Sequence, residues 1–157
     1  MTINTLEALF IHDLSDVYSA EKQITRALPK MARAATDENL VEAFKLHLEE
    51  TRGQIDRLDE LVEKTDGISI KRMKCHALEG LVEEAQEIID SVEVGQVRDA
   101  GLIGAAQKVE HYEIAAYGTL HAMALKLGYK DAARLLAETL EEEKATNQKL
   151  TLIAEQQ

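Results

Sequence analysis

The stretch QKVEHYEIAAYGTL, residues 107–120, places two acidic residues on the apolar face of a predicted helix. Glu110 and Glu113 are three residues apart, so their side chains point to the same side of a helix. Two neighbouring carboxylates raise each other's proton affinity, and a cation between them removes that conflict. The apolar line that contains them consists of Ile103, Ala106, Glu110, Glu113, Tyr117, Leu120 and Ala124.

The first and last helical segments each carry one acid in the middle of a similar apolar line. The acid is Glu21 in the first segment and Glu143 in the last. Glu142 lies beside Glu143 and would take its place if the helical register were shifted by one residue. A lone buried carboxylate is costly unless it is paired or bound to a metal. The two lines are Leu6, Phe10, Leu14, Val17, Glu21, Ile24 and Leu28, and Leu136, Leu140, Glu143, Asn147, Leu150 and Ala154.

The second helical segment has an apolar line with Thr51 at its centre and no acid on it. Glu50 borders that line on the face that also carries His47 and Gln54, and a small rotation would turn Glu50 inward. Carboxylates from four antiparallel helices would then meet at one level of a bundle. Such an oxygen-rich site suits Fe, Mn, Mg or Ca.

These residues also have simpler interpretations. Each acid outside the Glu110–Glu113 pair could lie in solvent, and the pair itself could bind Lys or Arg at a dimer interface. His47 fits a surface or partly buried histidine as well as a ligand. Tyr18 and Tyr117 fit core residues, and either could still hydrogen-bond to a carboxylate of the site.

Composition and chain punctuation predict an all-α fold. One proline and eight glycines among 157 residues leave little room for turns, and good helix formers dominate. We predict one domain, residues 1–157, with helices over 5–34, 37–64, 73–92, 97–127 and 131–154. Two long hairpins are thus joined by a crossover of about 30 residues that contains the shorter helix. That is the connectivity of a ferritin-like four-helix bundle.

A faint internal repeat supports the two-hairpin arrangement. A shift of 92 residues along the sequence pairs Glu21 with Glu113 and Glu50 with Glu142. Apolar positions are paired by the same shift, for example Leu28 with Leu120. The repeat indicates that the two hairpins contribute alike to a shared centre.

Charge and composition exclude several classes of function. The formal net charge of −11 opposes nucleic-acid backbones and anionic membrane surfaces. No apolar run approaches the ~18 residues of a membrane span. The single cysteine, Cys75, excludes an internal disulfide framework and any four-cysteine metal site. Because residues 1–10 lack the basic start of a signal peptide, we expect a cytoplasmic protein.

Four segments together resemble a known family. They are YSAEKQ (18–23), HLEETRGQ (47–54), QKVEHYEIAAYGTL (107–120) and TLEEEKAT (139–146). They closely resemble the YciE/YciF ferritin-like family of bacterial stress proteins, and the resemblance covers essentially the whole chain. It implies a helical bundle similar to the rubrerythrin di-iron domain, a homodimer and a link to stress responses. It does not imply an established reaction.

The rubrerythrin-like pattern implies a role for each acid. Glu21 matches the terminal ligand of the first helix, and Glu110 and Glu113 match the paired glutamates of the third bundle helix. Glu143 matches the glutamate of the last helix. Glu50 is the best candidate on the second helix.

One departure from the wider family concerns its Glu-x-x-His motifs. A glycine stands three residues after Glu50, and Thr146 stands three residues after Glu143. Gln54 and Thr146 could lie near the positions that the two missing histidines would occupy, and His47 is one turn before Glu50. Loss of imidazoles shifts a site towards oxygen-preferring ions and puts rapid ferroxidase chemistry in doubt.

The sequence is compatible with three functions. The first is a dinuclear Fe or Mn protein, with Mg or Ca possible, which acts in stress through peroxidase-like, oxidase-like or catalase-assisting chemistry. The second is a non-enzymatic structural or interaction protein whose homodimer binds metal weakly or not at all. The third, iron storage, needs a closed shell of many subunits.

Overall fold

Residues 2–157, which the computed structural model describes, form five α-helices and no β-strand. The predicted all-α class is therefore confirmed, while Met1 lies outside the described residues. None of the described helices combines the length and apolar character that a membrane span requires. The helices are α1 (Leu6–Ala34), α2 (Glu38–Lys64), α3 (His76–Ser91), α4 (Gln96–Leu127) and α5 (Lys130–Glu155).

The predicted helix bounds agree to within one residue, except at the start of α3. That helix begins at His76 rather than at residue 73. The amide of Lys71 donates to the Ser15 hydroxyl at 2.8 Å, and the amide of Cys75 donates to the Ser19 hydroxyl at 3.2 Å. Because side chains of α1 take these hydrogen bonds, the segment before His76 is held along α1 and does not form a helical turn.

The helices pack as two hairpins. Links of a few residues join α1 to α2 and α4 to α5, and Gly128, with φ 78°, ends α4 in the left-handed conformation. Helix α2 also contacts α5, and α1 contacts α4, which closes the four-helix bundle. The crossover places α3 against α4 and α1. A Cβ atom on Gly101 would lie 2.8 Å from Ile88, so glycine permits the close α3–α4 contact.

The bundle core consists of two apolar clusters with a polar layer between them. On α1, Val17 belongs to one cluster and Ile24 to the other, and Glu21 lies between them. On α4, the same change of cluster occurs between Val109 and Tyr117. The polar layer therefore lies at mid-length of the long helices, enclosed by apolar side chains on both sides.

Asp99, in the first turn of α4, fastens the α1–α2 link to the other hairpin. Its side chain is 2% exposed, and its two oxygens accept the amide hydrogens of Thr36 at 2.8 Å and Asp37 at 2.9 Å. Asp37 in turn caps α2, because its carboxylate accepts the amide of Leu40 at 3.1 Å. Sequence patterns did not single out Asp99, since its partners lie more than 60 residues away.

We expect Asp99→Ala to lower the free energy of unfolding by about 1–3 kcal/mol, because the amides of Thr36 and Asp37 would lose their charged acceptor. Urea unfolding followed by circular dichroism measures the change. Asp131→Ala is the control, because Asp131 is an exposed first-turn acid of α5 and should cost less than about 1 kcal/mol. Equal effects of the two substitutions would contradict the assigned role.

Candidate metal centre

Four glutamate side chains converge in the polar layer of the bundle. Glu21 comes from α1, Glu110 and Glu113 from α4, and Glu143 from α5, and each is 0% exposed. Among residues 2–157, no Lys or Arg forms an ion pair with any of them, and the basic group at their side is His47 on α2. The centre therefore concentrates four carboxylates without a permanent positive charge.

His47 approaches two of these carboxylates with one ring nitrogen. Its Nε2 lies 3.0 Å from Oε1 of Glu110 and 4.0 Å from Oε2 of Glu143, yet it is not aligned for a hydrogen bond. With metal–ligand bonds of about 2.1 Å, ligand atoms of one ion are about 3 Å apart when adjacent and about 4 Å apart when opposite. The three side chains therefore have the spacing of a ligand set, and all three are buried.

Seven of the eight carboxylate oxygens in the cluster lack a hydrogen-bond donor among the described residues. The exception is Oε2 of Glu21, which accepts the hydroxyl hydrogen of Tyr117 at 3.1 Å. Buried acceptors without donors are rare in folded proteins, and charged ones are the most costly. The residues present therefore fit a cationic group better than any protein donor that the described chain offers.

Burial and mutual repulsion raise the pKa of all four acids. Burial, with the charge of Glu143 as the next cause, raises the pKa of Glu21 to about 8. Burial also raises the pKa of Glu110 to about 7. For Glu113 the pKa lies well above its usual range, first through burial and then through the charge of Glu143. The pKa of Glu143 is raised well above its usual range by burial and by its contact with Glu110.

Glu50 lies beside this cluster rather than within it. Its side chain is half-buried, and its Oε2 accepts the hydroxyl hydrogen of Thr146 at 3.1 Å. Its charge still contributes to the raised pKa of Glu110, which places the two carboxylates within electrostatic reach. Of the five acids named from the sequence, four therefore meet in the core, and Glu50 stands at the edge.

Glu142 points away from the cluster and has its own partners. Its two oxygens accept hydrogen bonds from the two terminal nitrogens of Arg57 at 2.9 and 3.0 Å, and the side-chain amide of Gln54 donates to it at 3.2 Å. Burial acts to raise the pKa of Glu142, but the hydrogen bonds from Arg57 and Gln54 outweigh it and lower the pKa. The helical register thus places Glu143 inside the bundle. Gln54 donates its hydrogen bond to Glu142 and not to the buried cluster.

The remaining predicted side chains differ in position. Tyr117 is buried in the layer and donates to Glu21. Tyr18 lies on the bundle surface, where its hydroxyl donates to Asp59 at 3.0 Å. Thr51 is buried, but its hydroxyl donates to the backbone oxygen of His47 at 2.7 Å and is satisfied within α2.

From the sequence, His47 was named only as an alternative ligand or a neighbour of the site, and Arg57 was not named. The signal for His47 was available, because it lies four residues before Thr51 and so on the same side of α2. Arg57 lies three residues after Gln54, on the face that meets α5. Its partner Glu142 is 85 residues away, so only the packed bundle reveals the pair.

Comparison with known proteins places the chain in a family. A family model described as a domain of unknown function, DUF892, matches residues 5–157. Protein YciF of Escherichia coli strain K12 is 64% identical over 154 residues, which are 98% of this chain and 93% of YciF. The crystal structure of the E. coli stress protein YciF has a TM-score of 0.95 to this chain and covers 97% of it and 96% of YciF.

Two further solved structures share the fold. YcfI of Rhodopseudomonas palustris, described as a candidate structural protein, is 48% identical with a TM-score of 0.91, over 95% of this chain and 94% of its own. A protein of Xanthomonas campestris is 22% identical with a TM-score of 0.76, over 96% and 92% of the two chains, and shows the fold alone. The resemblance inferred from the four sequence segments is thus confirmed. The chain belongs to the DUF892 family and is a homologue of the stress protein YciF.

Proposed function

We propose that the protein binds two divalent metal ions between its helices and acts through them in the bacterial stress response. The proposed ligands are Glu21, Glu110, Glu113, Glu143 and His47. The observation that carries the proposal is a buried cluster of four carboxylates, seven of whose oxygens have no donor among residues 2–157. Two divalent ions carry four positive charges, which balance the four carboxylates, whereas a single ion would leave half of that charge uncompensated.

The donor set favours Fe or Mn, with Mg and Ca as weaker candidates. Carboxylate oxygens suit all four ions, and one imidazole shifts the preference towards the transition metals. The Glu-x-x-His motifs of the wider family are missing, but His47 brings an imidazole to the cluster from one turn before Glu50. One imidazole instead of two weakens binding of later transition metals such as Cu or Zn.

The chain's own residues would prepare the centre for reaction with an oxidant. A bound Fe or Mn pair would supply two electrons, which together with two protons reduce one hydrogen peroxide to two waters. Tyr117 fixes the orientation of Glu21 through its hydroxyl. Burial raises the pKa of Glu21 to about 8 and that of Glu110 to about 7, so both would release protons when a cation binds. The apolar clusters on both sides limit the access of water.

A structural role is the second candidate. It is supported by the description of the relative YcfI as a candidate structural protein. In that case the buried acids would stay protonated, and the protein would work through partners or through a homodimer. The homodimer, the cytoplasmic location and the absence of nucleic-acid and membrane partners stay predictions from the sequence.

We expect Glu143→Gln to lower metal content from about two ions per chain to one or fewer, because it removes a charged ligand from the centre. Dialysis against Mn(II) or anaerobic Fe(II), followed by mass-spectrometric metal analysis, measures the content. Glu141→Gln is the matched control, because Glu141 lies two residues earlier on the same helix and is exposed. Equal metal content in the two variants would exclude the proposed ligand set.

The metal-free protein should lose stability as pH rises. A carboxyl group whose pKa is raised on folding stabilises the fold below its unfolded pKa of about 4.5, and this contribution is lost as pH rises through about 8 for Glu21. Because its pKa is raised only to about 7, Glu110 is ionised at pH 8 in the metal-free protein. Glu110→Gln mimics the neutral acid, so it should raise the melting temperature of the metal-free protein at pH 8 by about 2–4 °C or more. Thermal unfolding in the presence of a chelator measures this. A lower melting temperature for Glu110→Gln at pH 8 would show that the charge is compensated by something other than metal.

The reaction of the metal-loaded protein with hydrogen peroxide distinguishes an enzymatic function from a structural one. If the centre is redox-active, the Fe(II)- or Mn(II)-loaded protein should be oxidised by hydrogen peroxide at least about tenfold faster than the loaded Glu143→Gln variant at equal metal concentration. Stopped-flow absorbance measures the rate. If peroxide oxidises neither the Fe(II)-loaded nor the Mn(II)-loaded protein, the enzymatic candidate is excluded and the structural role is favoured.

A further inference from the structure

The contact between α2 and α5 is built from equivalent residues on its two sides. On one side a residue of α2 donates to a glutamate of α5, and on the other a residue of α5 donates to a glutamate of α2. The three pairs of equivalent residues are each separated by 92 positions: Glu50 and Glu142, Gln54 and Thr146, and Arg57 and Lys149.

One side of this contact is closed by an arginine. Arg57 bonds both oxygens of Glu142 at 2.9 and 3.0 Å and reaches the Thr139 hydroxyl at 2.7 Å. Gln54 donates to the same glutamate. A bidentate arginine–carboxylate pair is strong and has a defined geometry. The surface above the cluster is therefore sealed between α2 and α5 on the Glu142 side.

The other side is open. Glu50 accepts only the Thr146 hydroxyl there, and Lys149, the counterpart of Arg57, makes no ion pair with it in the described chain. A cavity of about 90 Å³ lies at this place, with Glu50, Thr146 and Lys149 among its lining residues and His47 reaching it from the centre. The same imidazole therefore faces the cavity and the four buried carboxylates.

A second cavity also reaches His47, from the side of α1, α3 and α4, but its remaining lining is apolar. Its lining includes Ile24, Leu28, Leu78 and Val109. A hydrated cation would find no oxygen there to replace its water ligands, and the passage would be costly. The cavity between α2 and α5, by contrast, offers a carboxylate and a hydroxyl.

We propose that divalent cations reach the buried centre through the cavity between α2 and α5, where the half-buried Glu50 attracts them and Lys149 opposes them. The proposal rests on the proposed metal centre. Glu50 is then a positioning residue that transfers an ion to His47 and Glu110 and is not a ligand of the loaded centre. The asymmetry between Arg57 and Lys149 keeps this side of the pseudo-symmetric contact open.

The rate of metal uptake tests the proposal. Mn(II) is mixed with metal-free protein in a stopped-flow instrument, and its uptake is followed with a fluorescent Mn(II) indicator; the final stoichiometry is measured separately. We expect Glu50→Gln to slow uptake about tenfold and Lys149→Gln to speed it a few-fold, because charges at the mouth of a site change association rates. Both differences should shrink with added salt, and the final stoichiometry should stay that of the wild type.

Glu141→Gln is the matched control, because it makes the same change at an exposed residue of α5 that lines neither cavity, and its uptake rate should equal that of the wild type. Ala27→Leu narrows the apolar cavity and should also leave the rate unchanged. Wild-type uptake by Glu50→Gln, or loss of an ion from its final stoichiometry, would overturn the proposal. If wild-type protein binds no Mn(II) or Fe(II) at all, the proposed metal centre itself fails.

Discussion

Four carboxylates enclosed by apolar side chains are the constraint on which the rest of this structure depends. Glu21, Glu110, Glu113 and Glu143 are each fully buried, and no Lys or Arg in residues 2–157 pairs with them. Such a cluster can exist only if protons or cations neutralise it. Burial raises the pKa of Glu21 to about 8 and that of Glu110 to about 7, which favours protons on these groups when no cation faces them. In the proposed function, divalent ions would replace these protons, because a metal binds the deprotonated carboxylate.

The layer of acids divides the hydrophobic core of the bundle into two parts. Two apolar clusters take the place of one continuous core, and each long helix crosses from one to the other at the level of the acids. Asp99 and Gly101 secure the hairpins and the crossover helix from outside that layer. Contacts outside the polar layer thus hold the helices that carry the acids, which is the rigid support that a metal site would need.

Helical periodicity predicted the fold and the buried acids because both depend on local spacing. Glu21, Glu113 and Glu143 each interrupt an apolar line, and one helical turn is enough to show it. The start of α3 was predicted wrongly, since its preceding residues bond to α1 more than 50 positions away. On α2, the spacing of His47 and Thr51 indicated the side that faces the centre, but it did not fix how far Glu50 turns inward. Rotation of that helix is set by packing against α1 and α5, and it turns His47 inward and leaves Glu50 at the edge.

Anomalous X-ray scattering from crystals grown with Fe(II) and with Mn(II) would show whether the four glutamates bind metal. We expect two peaks inside the bundle at the absorption edge of the bound metal, within bonding distance of the carboxylates of Glu113 and Glu143. The imidazole of His47 should lie on one of the two ions. Crystals in which the carboxylates stay protonated and bonded to one another, with no anomalous peak between the helices at either edge, would contradict it.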